Sequence, residues 1–198
     1  MPSVKAFVLG NGKSRLTYDL HELKLRGKVY GCNALYRDFT PDVLVATDTP
    51  MATEIEQSGY TGAFWTRRPA INSNSRKIEM NFGFSSGPIA VTLAALNQHR
   101  PIYLIGFDLT GENGNINNVY AGTQNYKPQH DKETYWGNWV NQLHTIMKNQ
   151  FPYSKFIRCV DAQSYTPKEW EMLPNYSEIA FEDFINSINN TPWQRQKE

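Results

Sequence analysis

Three residues, Gly10, Asn11 and Gly12, separate the short apolar run Ala6–Leu9 from a stretch with helical leucine spacing. Glycines at such a corner let the backbone turn sharply and come close to a ligand. A helix that starts there can offer free N–H groups to an anion. A plain strand-to-helix turn accounts for the same residues, and both readings stand. Two named phosphate motifs fail. A Walker A loop needs glycine five positions before Gly12, where the chain has Phe7, and a G-x-G-x-x-G fingerprint needs glycine where it has Arg15. A different phosphate loop, with Lys13 or Arg15 as counter-charge, stays open.

Other groups could do chemistry. Asp48, in VATDTP, follows an apolar run and could bind ribose or a metal, or cap a turn. Arg67 and Arg68 could meet a phosphate or an acceptor. His21, His99 and His144 fall in helical segments and read as structural or solvated. No His, Cys or carboxylate pair has the spacing of a zinc site. Trp136 and Trp139 read as the apolar face of a helix rather than as stacking platforms.

The elements that must position these groups alternate. Strands are expected at Val4–Leu9, Val29–Cys32, Val43–Ala46, Ala63–Thr66, Ile102–Leu109 and Lys155–Val160. Helices are expected at Ser14–Leu25 (Leu16, Leu20 and Leu23 inward) and at Pro50–Gln57. Further helices are expected between Pro88 and Gln98 (Ile89, Leu93 and Leu96 sharing a face), around Trp136–Met147, and at Glu178–Ile188. Such alternation implies an α/β, Rossmann-like fold: a mainly parallel sheet with helices on both faces and ligands at the strands' carboxyl ends. Residues 1–190 read as one domain, 110–130 as a lid-like loop rich in Gly and Asn, and 191–198 as a frayed tail.

Composition agrees. The chain has 198 residues, 40% hydrophobic and 13% aromatic, which is too apolar for a disordered chain. Twenty basic against 19 acidic side chains give a net charge of +1, so no global field draws it to nucleic acid or an anionic membrane. Cys32 and Cys159 make no disulfide framework, no apolar run approaches the ~18 residues of a spanning helix, and the N-terminal apolar stretch is too short for a signal peptide. The expected location is the cytoplasm.

Three segments taken together carry a resemblance: LGNGKSR at 9–15, YGCNALYRDF at 30–39 and SSGPIAVTLAALNQHRPIYLIGFDLTG at 85–111. In order and spacing they resemble the Campylobacter-type bacterial sialyltransferases and the Rossmann-like group around them. That group includes motility-associated glycosyltransferase-like proteins, archaeal 6-hydroxymethylpterin diphosphokinases and small bacteriophage proteins; a phage origin would mean the host cytoplasm. The resemblance implies that Gly10, Asn11 and Gly12 hold the donor's phosphate and ribose side and that Asn33 contacts the nucleotide. It also implies that Ser85, Ser86 and Gly87 meet the donor at a helix start, with Asp108 at the edge of the site. In those sialyltransferases no metal is required, a histidine deprotonates the acceptor and two tyrosines steady the leaving phosphate. The order Tyr120, Tyr126, His130, helix, strand is similar, which makes His130 the candidate base and the two tyrosines its assistants.

Three functions follow as expectations. The first is a metal-independent, glycosyltransferase-like enzyme using a nucleotide-activated sugar. The second is a diphosphokinase-like transfer needing Mg²⁺, with Asp48 or Asp108 as ligands. The third is a non-catalytic protein that sequesters a nucleotide.

Overall fold

A computed structural model describes residues 4–71 and 73–190; the frayed tail expected at 191–198 lies outside them. Eight strands form one sheet in the order β5-β4-β3-β2-β1-β6-β7-β8, and every neighbouring pair is parallel. They are β1 (Ala6–Leu9), β2 (Lys28–Cys32), β3 (Val43–Ala46), β4 (Phe64–Thr66), β5 (Arg76–Lys77), β6 (Ile102–Ile105), β7 (Phe156–Val160) and β8 (Tyr176–Ala180). The helices are α1 (Leu20–Arg26), α2 (Thr49–Gln57), α3 (Ser86–Leu96), α4 (Gly137–Thr145), α5 (Lys168–Glu171) and α6 (Phe181–Asn189). The fold is the α/β, Rossmann-like arrangement that alternating elements imply.

Strand alternation splits the core. Ala6, Val8, Tyr30, Val45 and Leu104 face α3 and α4, while Phe7, Leu9, Val29, Leu44 and Ile105 face the other side, with α2 and α6. Central strands buried on both faces read as continuous apolar runs, which is why β1, β3 and β6 were visible in the sequence. Helix α3 lies against β1, β2, β3 and β6. It is apolar nearly all round, so Ile89, Ala90, Val91, Ala94 and Ala95 are all buried. Its expected inward face was wrong at Leu96, which is 47% exposed.

Four other expectations are corrected. The helix expected at Ser14–Leu25 is a 3-10 turn, Lys13–Thr17, followed by α1 after the Asp19 cap; Leu16 is 64% exposed. The strand expected to reach Leu109 stops at Ile105, because Gly106 turns to φ +74°. The helix expected from Glu178 starts at Phe181, after the edge strand β8, whose mostly exposed residues give it no apolar run. Trp139 is 37% exposed, outside the core assigned to it.

Sheet order reverses at the β1–β6 pair: strands β2 to β5 run outward on one side and β7 and β8 on the other. Gly10 and Gly106 leave these two strands in contact. The amide of Gly10 donates to Ile105 O at 2.8 Å, that of Gly12 donates to Gly106 O at 2.9 Å, and a Cβ on Gly106 would sit 2.8 Å from Gly10 O. Replacing Gly106 by Ala combines a left-handed φ with that contact and should destabilise the protein by about 1–3 kcal/mol, read as a lower urea midpoint.

Candidate nucleotide-binding site

A cavity of about 300 Å³ opens at the carboxyl ends of β1, β2, β3 and β6. All nine candidate nucleotide-binding residues line it: Gly10, Asn11, Gly12, Asn33, Ser85, Ser86, Gly87 and Asp108, which the resemblance assigned, and Asp48, singled out from the sequence itself. The reason is topological. Each follows a parallel strand or opens a helix, and parallel strands end on the same edge of the sheet, next to the reversal of strand order.

The two ends of the cavity differ. At the glycine corner four amides are already used: besides those of Gly10 and Gly12, Lys13 N donates to Asn117 Oδ1 at 2.9 Å and Ser14 N to Asp108 Oδ2 at 3.2 Å. Of the N–H groups expected to meet a phosphate, those of Gly10 and Gly12 are therefore committed to the neighbouring strand end. The corner's counter-charges are also engaged, since Lys13 pairs with Glu112, and Arg15, 3% exposed, turns inward to donate to Tyr120 Oη. What this end presents instead is carboxamide. Asn11 Oδ1 and Asn33 Oδ1 are buried acceptors without a partner, and Asn33 is held at φ +55° at the start of the 3-10 turn Asn33–Arg37. An unsatisfied buried acceptor costs about 1–3 kcal/mol, so the two favour a ligand that brings donors such as hydroxyl or amino groups.

The opposite end is the start of α3. Helix geometry leaves the amides of Ser86 and Gly87 without an intrahelical acceptor, Ser85 supplies no side-chain cap, and Pro88 at the third helical position has no N–H. The Ser86 hydroxyl accepts from Thr47 N at 3.0 Å, tying α3 to the end of β3. Arg67 completes this end. Its Nε and one terminal nitrogen donate to the carbonyls of Phe82 and Phe84 at 2.6 and 2.8 Å, which fix the guanidinium without neutralising it. Sequence reasoning had set Arg67 beside Arg68 as a candidate, but only Arg67 lines this cavity. Trp139 lines it too, from α4, and nothing in the sequence distinguished it from a core residue.

Asp108 is in the wall with its carboxylate occupied. It accepts from the Ser14 hydroxyl and amide and from Asn117 Nδ2 at 3.0 Å. As a Mg²⁺ ligand it would have to give up those bonds, and no cluster of three or more metal-ligating side chains occurs among the described residues. Of the two carboxylates expected as Mg²⁺ ligands, Asp108 is thus committed to the protein's own donors. Asp48, by contrast, precedes α2 without capping it with its side chain, so its carboxylate is free.

The expected catalytic trio is placed elsewhere. Tyr120 is buried behind the glycine corner, donates to Asp38 Oδ2 at 2.7 Å, and has its phenol pushed up by burial. The Tyr126 hydroxyl accepts from Asn11 Nδ2 at 3.4 Å and Ala34 N at 3.3 Å, and it too is raised by burial. Both brace the wall from behind. His130 is exposed and does not line the cavity. Cys32 does line it, with its thiol pushed up to about 11 by burial.

Segment 110–130, read as lid-like, is pinned at several points. Val119 N donates to Asn11 O at 2.8 Å, and Arg37 donates to Thr123 Oγ1 and Gln124 O. Glu54 accepts from Tyr36, Arg37 and Asn125. Burial pushes the Glu54 carboxyl up, but those donors outweigh it and hold it below the ordinary carboxylate range. A depressed value stabilises the fold above the unfolded value and is lost as pH falls through the folded one. Glu54→Gln should therefore cost about 1–2 kcal/mol at pH 7 in urea unfolding, and the gap to wild type should close below about pH 4.

No protein-family model and no curated protein matches the chain. Among solved structures it is similar to the sialyltransferase CstII from Campylobacter jejuni in complex with a substrate analogue, cytidine-5'-monophosphate. The two share 14% identity over 78% of this chain and 79% of that one, with a TM-score of 0.47. What the cavity of this chain can bind is set by its own groups.

Proposed function

We propose that this cavity binds a nucleotide with its phosphate against the start of α3 and its ribose or base against Asn11 and Asn33, and that the protein is a glycosyltransferase-like user of a nucleotide-activated sugar. One observation carries the reading. A single cavity at the reversal of strand order has free amides and a fixed arginine at one end, and two unpartnered carboxamide oxygens at the other. Phosphate suits the first end, because amides at a helix N-terminus and an arginine both favour negative charge. Hydroxyl and amino donors suit the second. Trp139 stands where an aromatic face can cover a base or sugar.

The positions of Tyr120, Tyr126 and His130 favour a second reading, in which the site holds its nucleotide without reacting it. The two readings separate by mass spectrometry of CMP-, UDP- and GDP-sugars incubated with the protein and simple glycosides. Under the first a nucleotide product accumulates, and under the second the sugar nucleotides return intact.

Both readings require phosphate recognition by Arg67. Arg67→Ala should weaken binding of the preferred nucleoside monophosphate by about 10–100-fold, the worth of one charge-assisted hydrogen bond, while leaving the matching nucleoside within a factor of three. Calorimetry on CMP, UMP, GMP and AMP against their nucleosides measures this. Equal losses for nucleotide and nucleoside would remove Arg67 from the phosphate, and no binding of any of the four would remove the nucleotide.

A further inference from the structure

A second cavity, of about 370 Å³, adjoins the first and shares Thr47, Asp48 and Arg67 with it. It lies between the start of α2 and the end of β4, and the nucleotide reading leaves it unused. Its wall is rich in hydroxyls, from Thr49, Thr53 and Thr66 beside Thr47, whose hydroxyl is shared with that of Ser86 at 3.0 Å, with Phe82 as one aromatic residue. The charged groups Asp48, Glu56, Arg67 and Arg68 balance in sign, so the space has no net preference for an ion. Glu56 is committed to the surrounding loop, accepting from Ala70 N at 3.1 Å and Ser75 Oγ at 2.8 Å. Asp48 is not committed, and it stands on the boundary of both cavities.

We infer that this second cavity is a subsite for a hydroxyl-rich neutral ligand, a saccharide end, whose hydroxyl at the junction donates to Asp48. The chemistry is that of polyol recognition. Threonine hydroxyls both donate and accept, a free carboxylate is a strong acceptor, and an aromatic ring offers a face to C–H groups. The position rests on the nucleotide reading, because a saccharide here would abut a nucleotide next door through Asp48 and Arg67. Of the two carboxylates lining the first cavity, Asp108 has its oxygens occupied and Asp48 has not, which leaves Asp48 as the acceptor at the junction.

The test is saturation-transfer NMR on the full chain with methyl glucoside, galactoside, mannoside and N-acetylglucosaminide, with and without CMP, UMP, GMP or AMP. Thr53 is exposed on α2 and lines only the second cavity, so Thr53→Tyr can fill that space without touching the first. The expected result is saturation transfer to at least one glycoside, lost by at least fivefold in Thr53→Tyr and in Asp48→Asn. Nucleotide affinity in Thr53→Tyr should stay within threefold of wild type. Absence of transfer to all four glycosides, or transfer unchanged in Thr53→Tyr, overturns the subsite. Glycoside transfer that behaves as expected in a protein binding none of the nucleotides would uphold the subsite and overturn the nucleotide reading instead.

Discussion

The structure depends on the close approach of two backbones, at Gly10 and Gly106. Strands β1 and β6 are the central pair of the sheet, and the chain leaves both at the same level through glycine. The two turns bond to each other, Gly10 N to Ile105 O and Gly12 N to Gly106 O. That contact is short enough to exclude a Cβ on either glycine. Because strand order reverses between β1 and β6, the loops that follow diverge and leave a crevice. Everything the cavity contains is brought there by this divergence.

The same contact decides how the cavity is polarised. The amides of Gly10 and Gly12 are given to the neighbouring strand end, whereas across the crevice the first amides of α3 lack intrahelical acceptors and Arg67 keeps its charge, which is the asymmetry the proposed function rests on. Asp108 reinforces the division. Its carboxylate takes the Ser14 amide and hydroxyl and the Asn117 side chain, which joins the glycine corner to segment 110–130. Negative charge beside the corner is thereby spent on structure, and the corner is left with neutral carboxamide acceptors.

Segment 110–130 is long and lacks apolar periodicity, yet it is held like a strap. Its order comes from side chains distant in sequence: Lys13 and Arg15 from the first turn, and Arg37 and Glu54 from around β3. Tyr120 and Tyr126 are drawn inward by this attachment, their rings tilted against each other at 5.7 Å between centres behind Asn11. A polar loop can therefore contribute a buried phenol, Tyr120, because a cation buried without a carboxylate of its own, Arg15, needs a hydroxyl partner.

Much was legible without coordinates. The apolar runs of β1, β3 and β6 reflect burial on both faces, a local property written in consecutive residues, and Gly10 marks the end of β1, whereas the stop at Gly106 was not read from the sequence. Equally local is the helix start at Ser86-Gly87-Pro88, since the proline rule acts within one turn, although no serine side chain caps it. The alternation of these elements determined a parallel sheet and, through it, that the nine candidate residues would share one edge. What the sequence could not determine depends on partners far along the chain. Leu16 and Leu96 show helical spacing but face solvent, because which stripe of a short or all-apolar segment is covered is decided by what packs on it. Whether Gly12 N is free, whether Arg15 points in or out, and whether Tyr120 meets a ligand or Asp38 were decided only when β6 and segment 110–130 closed over the corner. Each hydrogen-bonding group has few partners to give, and tertiary contact alone settles which of them are already taken.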